Sequence, residues 1–136
     1  MAYVSDVFDA AMGLMDELSP TGTAQTSDTQ DYKFRTPAII GIMTAEFKLR
    51  TGGRGAFAAV SALDDYINGI DDAYALGVMP YGLAANLLID ENPAAASFFQ
   101  QRYEQLQYEY IRHRPALFEA IENVYGGIEH GEAARW

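Results

Sequence analysis

Asp72-Ala73-Tyr74-Ala75-Leu76-Gly77-Val78-Met79-Pro80-Tyr81-Gly82-Leu83-Ala84-Ala85-Asn86-Leu87-Leu88-Ile89-Asp90 is the stretch on which the fold turns. Residues 73–89 carry no charge, yet they fall short of the roughly 20 residues a membrane-spanning helix needs, and Gly77, Pro80, Gly82 and Asn86 interrupt them. Such a segment reads as a helix buried inside a protein or against a subunit. Pro80, near its middle, predicts either one kinked helix or two collinear pieces. Asp71 stands where an N-cap is needed. Beyond the segment, Asn92-Pro93 restarts the pattern, with Asn as the cap and Pro at the first helical position.

On the helix that follows, Ala96, Phe99, Tyr103, Leu106, Tyr110 and Ile111 recur at helical spacing, while Gln100, Gln101, Glu104, Gln105 and Glu109 take the other side; the helix should end before Pro115. Upstream, Val7, Phe8, Ala11, Leu14, Met15 and Leu18 mark an amphipathic helix over residues 6–18, capped by Ser5 or Asp6 and closed by Ser19-Pro20. A polar loop follows. A second helix opens at Asp28 or Thr29 and is expected to kink or restart at Thr36-Pro37, because Pro37 lacks a backbone donor. Its apolar face would be Ile39, Ile40, Met43 and Phe47, running to about residue 49. Thr51-Gly52-Gly53-Arg54-Gly55 then breaks it. Phe57, Val60 and Leu63 fit a short helical turn or a packed loop. The expected fold is mostly α: a compact bundle of four to five helices over residues 1–114, with residues 115–136 as an extended C-terminal arm.

The chain has 136 residues, room for one core. Its 9 Lys plus Arg against 19 Asp plus Glu give a formal net charge of −10, which disfavours a protein that grips phosphate backbones. No Cys is present, so disulfides, thiol catalysis and cysteine zinc sites are excluded, as suits a reducing cytosol. The first residues show no basic region leading into an apolar stretch, so no secretory signal is expected. Charge is segregated along the chain. Residues 1–31 and 55–101 hold acids only, whereas residues 33–54 hold five of the nine bases. That division suggests contact between unlike edges of neighbouring subunits, with Lys48, Arg50 and Arg54 facing Asp64, Asp65, Asp71 and Asp72.

Chemistry is harder to find. His113 and His130 have no metal-ligand spacing, and the pairs Asp64-Asp65, Asp71-Asp72 and Asp90-Glu91 lack the alternating oxygens of a calcium loop. The glycine-rich run at residues 51–55 lacks the terminal Gly-Lys-Ser/Thr of a phosphate loop. Ser61 and Ser97 have no nucleophile-elbow context. No cofactor is expected, and the reading is non-enzymatic. What stands out instead is nine Tyr, seven Phe, one Trp and five Met, more interface-prone surface than one small core absorbs.

The strings Val78-Met79-Pro80-Tyr81-Gly82-Leu83-Ala84-Ala85-Asn86-Leu87-Leu88, Asp90-Glu91-Asn92-Pro93 and Phe98-Phe99-Gln100-Gln101-Arg102-Tyr103-Glu104 resemble the small head-tail connector (neck adaptor) proteins of tailed bacteriophages and prophages. The opening Asp6-Val7-Phe8-Asp9-Ala10-Ala11-Met12-Gly13-Leu14-Met15 and the closing Val124-Tyr125-Gly126-Gly127-Ile128-Glu129-His130-Gly131 are similar to the same group, so the likeness covers most of the chain. The resemblance implies a helical subunit of a homo-oligomeric, dodecameric ring at the head-tail junction of the virion, assembled in the host cytoplasm. There it would join the portal protein to a neck, stopper or tail protein. Its arm would embrace the portal through Val124, Tyr125, Gly126, Gly127, Ile128 and Trp136. DNA would pass through the ring without sequence-specific binding, and no membrane would be involved. Two readings from other classes stay open: an acidic DNA-mimic inhibitor, which would act as a monomer, and a small enzyme, which would need a closed pocket of convergent polar groups.

Overall fold

The computed structural model describes residues 2–17, 22, 24, 27–52 and 60–113. Among them are five α-helices: α1 (Val4–Leu14), α2 (Gln30–Arg50), α3 (Asp72–Gly77), α4 (Met79–Leu88) and α5 (Pro93–Arg112). A single 3-10 turn, Ser27–Thr29, leads into α2. The fold is mostly α, as the periodicity predicts. Residues 115–136, and Leu18, Arg54 and Phe57 with them, lie outside the described residues.

The uncharged segment becomes α3 and α4, two helices divided at Val78. Asp71 caps α3 by accepting the Ala73 N–H at 3.3 Å. Pro80 then sits in the first turn of α4, where its missing N–H costs nothing. In α4 Met79, Pro80, Gly82, Leu83, Ala84, Ala85, Leu87 and Leu88 are all buried, and the helix packs against each of the other four. It is the central element of the bundle. Asn92 caps α5 through the Ala95 N–H at 3.2 Å, and α5 ends at Arg112, ahead of Pro115.

Two expectations about boundaries are corrected. The first helix stops at Leu14 rather than near residue 18, because Asp16 takes a left-handed conformation (φ 61°). The Glu17 N–H then reaches back to the Met12 carbonyl at 2.8 Å and the Asp16 N–H to that of Gly13 at 3.2 Å, closing the helix before Ser19-Pro20 is reached. At the other end α1 begins at Val4, with Asp6 reaching back to the Tyr3 N–H at 2.9 Å.

The second correction concerns Pro37, which lies inside α2 and does not restart it. An interior proline sacrifices one helical hydrogen bond at a cost of about 3 kcal/mol. Burial on either side of it offsets that loss: Tyr32 and Thr36 before it and Ile40, Met43 and Phe47 after it are in the core. The Thr36 hydroxyl also donates to the Tyr32 carbonyl at 2.7 Å. Ile39, expected beside Ile40, is only partly buried.

Residues 60–70 form a packed loop. It runs back to the N-terminus: the Val4 N–H donates to the Asp65 carbonyl (2.9 Å), Ser5 N–H to Leu63 (2.8 Å) and Ile67 N–H to Ala2 (2.9 Å). Tyr3 and Tyr66 stack with centroids 4.3 Å apart and share a 2.8 Å hydroxyl hydrogen bond. Ile67 is fully buried in the core with Val4, Val7 and Phe8.

Candidate assembly surface

Asp65 organises that loop. Its carboxylate accepts the backbone N–H groups of Ser61 (2.9 Å) and Ala62 (3.0 Å) and the Ser61 hydroxyl (3.3 Å). These donors, the Ser61 backbone first, hold its carboxyl below the usual aspartate range. A depressed folded-state value means that the contribution to stability is present above the unfolded value of about 3.8 and is lost as pH falls through the lower folded value. In a carbon-detected NMR titration Asp65 should therefore titrate below the ordinary aspartate value of about 3.8. A midpoint at or above the ordinary value would contradict the turn geometry.

The remaining charges assigned to a subunit edge also have intrachain surroundings. The Asp71 carboxylate caps α3 and accepts the Tyr110 hydroxyl at 2.8 Å. Arg50 pairs with Glu46 one turn earlier at 3.1 Å. The Lys48 ammonium lies over the turn at Gly69, so close that a Cβ there would collide with Nζ; Gly69 itself has φ +78°. Lys48 and the acidic loop therefore meet within one chain. Asp64 and Asp72 are exposed on the loop and at the start of α3. Arg54 lies outside the described residues, as do Val124, Tyr125, Gly126, Gly127, Ile128 and Trp136.

Inside, between α2, α3 and α5, Gln107 and the hydroxyls of Tyr74 and Tyr103 form a polar cluster. The Gln107 side-chain amide donates to the Tyr74 hydroxyl (2.8 Å) and to the Tyr103 hydroxyl (3.1 Å), and Tyr103 reaches Glu46 at 3.4 Å. Burial pushes both phenols up: for Tyr103 its hydroxyl neighbour adds to the effect, whereas for Tyr74 the hydrogen bonds pull back partway. Both stay neutral at physiological pH. Neutral phenols and an amide orient three helices against one another; they supply no base or nucleophile at neutral pH. Among the described residues no group of three or more acidic or histidine side chains is placed to hold a metal ion. Nor is any helix there long and apolar enough to cross a membrane.

The surface is where this chain is unusual. Helix α2 is apolar on two sides. Inward it buries Ile40, Met43 and Phe47; outward it presents Phe34, Ile42 and Leu49, which are 75%, 71% and 74% exposed. Ala38 and Ala45 fall between them at the same helical spacing, so the outer residues make one stripe. Sequence periodicity alone picked out the inner face. The signal for the outer one was present in the repeat at 34, 38, 42, 45 and 49, but it has meaning only once α2 is known to lie at the edge of the bundle.

A shallow groove of about 300 Å³ between α4 and α5, floored by Ala85 and Ala96 and edged by Ile89 and Pro93, adds further apolar surface. Ile89 and Phe98 are exposed beside it. A more polar hollow of about 430 Å³ is lined by Arg50, Glu104, Gln107, Tyr108 and Ile111. Both are open rather than closed, and neither gathers a set of reactive groups. No protein-family model, curated protein or solved structure matches the chain.

Proposed function

We propose that the chain is a structural, non-enzymatic subunit of a phage head-tail connector ring, standing between the portal and the neck or tail. The observation that carries this reading is the apolar surface one copy leaves uncovered, above all the outer face of α2 with three large side chains more than 70% exposed. A working state shared with copies and neighbours is the physical remedy for such a surface. Support also comes from the likeness of residues 78–104 to connector proteins and from the net charge of −10, because a wall that repels phosphate lets duplex DNA slide without sticking.

Electron microscopy of the purified full-length chain, alone and mixed with phage portal rings, tests the proposal. Rings of many copies with a negatively charged inner wall, which dock on the portal, are expected. Removing residues 126–136 should abolish docking while leaving the rings intact. Particles of single copies would end the connector reading, and rings with a basic inner wall would end its account of DNA passage.

A further inference from the structure

We infer that Tyr3 and Tyr66 form an oxidative cross-linking site, at which a one-electron oxidant of the peroxidase class joins the two phenols as dityrosine and ties the start of the chain to the loop before α3. Nothing in that chemistry depends on the ring reading above.

The backbone sets the pair. Tyr3 and Tyr66 face each other across an isolated antiparallel bridge. The hydrogen bonds on either side of it, from the Val4 N–H to the Asp65 carbonyl and from the Ile67 N–H to the Ala2 carbonyl, both 2.9 Å, make it a non-hydrogen-bonded pair, the arrangement that brings opposed side chains closest. Val4 and Ile67, the next residues along, are fully buried, so the bridge cannot slip by a residue without emptying two core sites. The tyrosine rings stack 4.3 Å apart and within 19° of parallel, and their hydroxyl oxygens are 2.8 Å apart. Adjacent hydroxyls mean that both rings point the same way. The ortho carbons beside each C–O bond, where a phenoxyl radical carries much of its unpaired spin, are therefore held next to one another.

Exposure supplies the second requirement. Tyr3 is 38% and Tyr66 49% exposed, open to an oxidant in solution. The hydroxyls of Tyr74 and Tyr103 also approach, at 3.4 Å, but those side chains are sealed in the core. Tyr108 is exposed on α5 with no tyrosine stacked on it among the described residues.

Each phenol gives one electron to the oxidant and its hydroxyl proton to water, which leaves two neutral phenoxyl radicals. They couple ortho carbon to ortho carbon, forming one C–C bond. Each coupled carbon then loses its hydrogen as a proton while the ring oxygen regains one, so both rings are aromatic again and both hydroxyls are kept. The net loss is two electrons and two protons, consumed as one hydrogen peroxide becomes two waters. To bond, the rings must swing from face-to-face to edge-to-edge, a rotation that exposed side chains make in picoseconds to nanoseconds. A partner already in place gives this coupling the advantage of an intramolecular reaction over encounters between chains.

The test treats the full-length chain with a haem peroxidase and hydrogen peroxide at several dilutions, with circular dichroism to verify the fold. Dityrosine fluorescence is expected in the band that runs as a single chain on a denaturing gel, with a yield per chain that does not fall on dilution. Trypsin should then release residues 1–33 joined to residues 55–102, short of two hydrogens, with fragmentation placing the bond between Tyr3 and Tyr66. Tyr3→Phe and Tyr66→Phe, which keep the stacked ring but not the phenol, should each lower the single-chain fluorescence by about tenfold or more. Dityrosine confined to cross-linked dimers and falling with dilution would overturn the site, as would a bond mapped to any other pair of tyrosines. So would single-chain fluorescence that survives both substitutions, or oxidation that leaves the wild-type chain without dityrosine.

Discussion

Replacing Tyr74 with alanine should cost about 3–5 kcal/mol of folding stability, the range for emptying a large aromatic site in a core. A domain of this size typically has about 5–15 kcal/mol in total, so the variant would stand near the edge of unfolding. The reason lies in where three elements meet. Tyr74 is fully buried on α3; its ring lies 4.3 Å from that of Phe47 on α2 and 5.1 Å from that of Tyr110 on α5. Because α3 is only six residues long, it has little helical stability of its own and is held by what this one side chain packs against.

Tyr74→Phe separates packing from polarity. The ring contacts survive, and the Gln107 amide keeps the Tyr103 hydroxyl as an acceptor at 3.1 Å. A loss of about 1 kcal/mol is expected, the usual net worth of one hydrogen bond. Urea unfolding followed by circular dichroism measures both. Near-equal losses for Tyr74→Ala and Tyr74→Phe would mean that the polar cluster, and not the aromatic packing, joins α3 to its neighbours.

What could be read from the residues follows from how local the governing interaction is. Asp71 and Asn92 cap their helices through N–H groups two and three residues away, so the starts of α3 and α5 were visible in short strings. The end of α1 was not, since it depends on Asp16 accepting a left-handed backbone that its neighbours do not advertise. Of the kink or restart expected at Pro37, the restart is absent for a related reason: a proline penalty is local, but the burial that offsets it comes from α4 and α1. Gln107 reads as one more polar residue on a glutamine-rich helix; once it is buried its amide donates to Tyr103 on the same helix and to Tyr74, 33 residues earlier, which no local string announces.

The candidate site divides the same way. Segregated charge marks residues 33–54 as a basic stretch in the sequence, but position in the chain does not separate charges paired inside one copy, such as Arg50 with Glu46, from others. The outer stripe of α2 needed the bundle itself, because an apolar repeat on a helix says nothing of which of two faces finds a partner.

Gly82→Val should lower stability by about 3 kcal/mol, at the upper end for overfilling a close-packed site. Glycine in the middle of a helix ordinarily costs about 1 kcal/mol relative to alanine, so its presence in α4 calls for a packing reason. A Cβ at Gly82 would fall 2.6 Å from the Met43 methyl carbon and 2.9 Å from the Tyr103 ring. The methionine end is flexible and can swing aside. The tyrosine cannot do so freely: its hydroxyl is fixed by Gln107, and its ring is sealed in the core.

Gly82→Ala should accordingly be milder than Gly82→Val, since its gain in helix propensity partly offsets the clash. Combining Gly82→Val with Met43→Ala should recover some of the loss, whereas the two changes would add if the clash were absent. The same comparison bears on assembly. Gly82 lets α4 approach α2 on one side and α5 on the other, and that spacing sets where the outer face of α2 lies. On the ring reading proposed above, a Gly82→Val chain that folds should assemble less well than wild type even though residue 82 is buried. Normal assembly by a folded but displaced α2 would separate the stripe from the subunit contact.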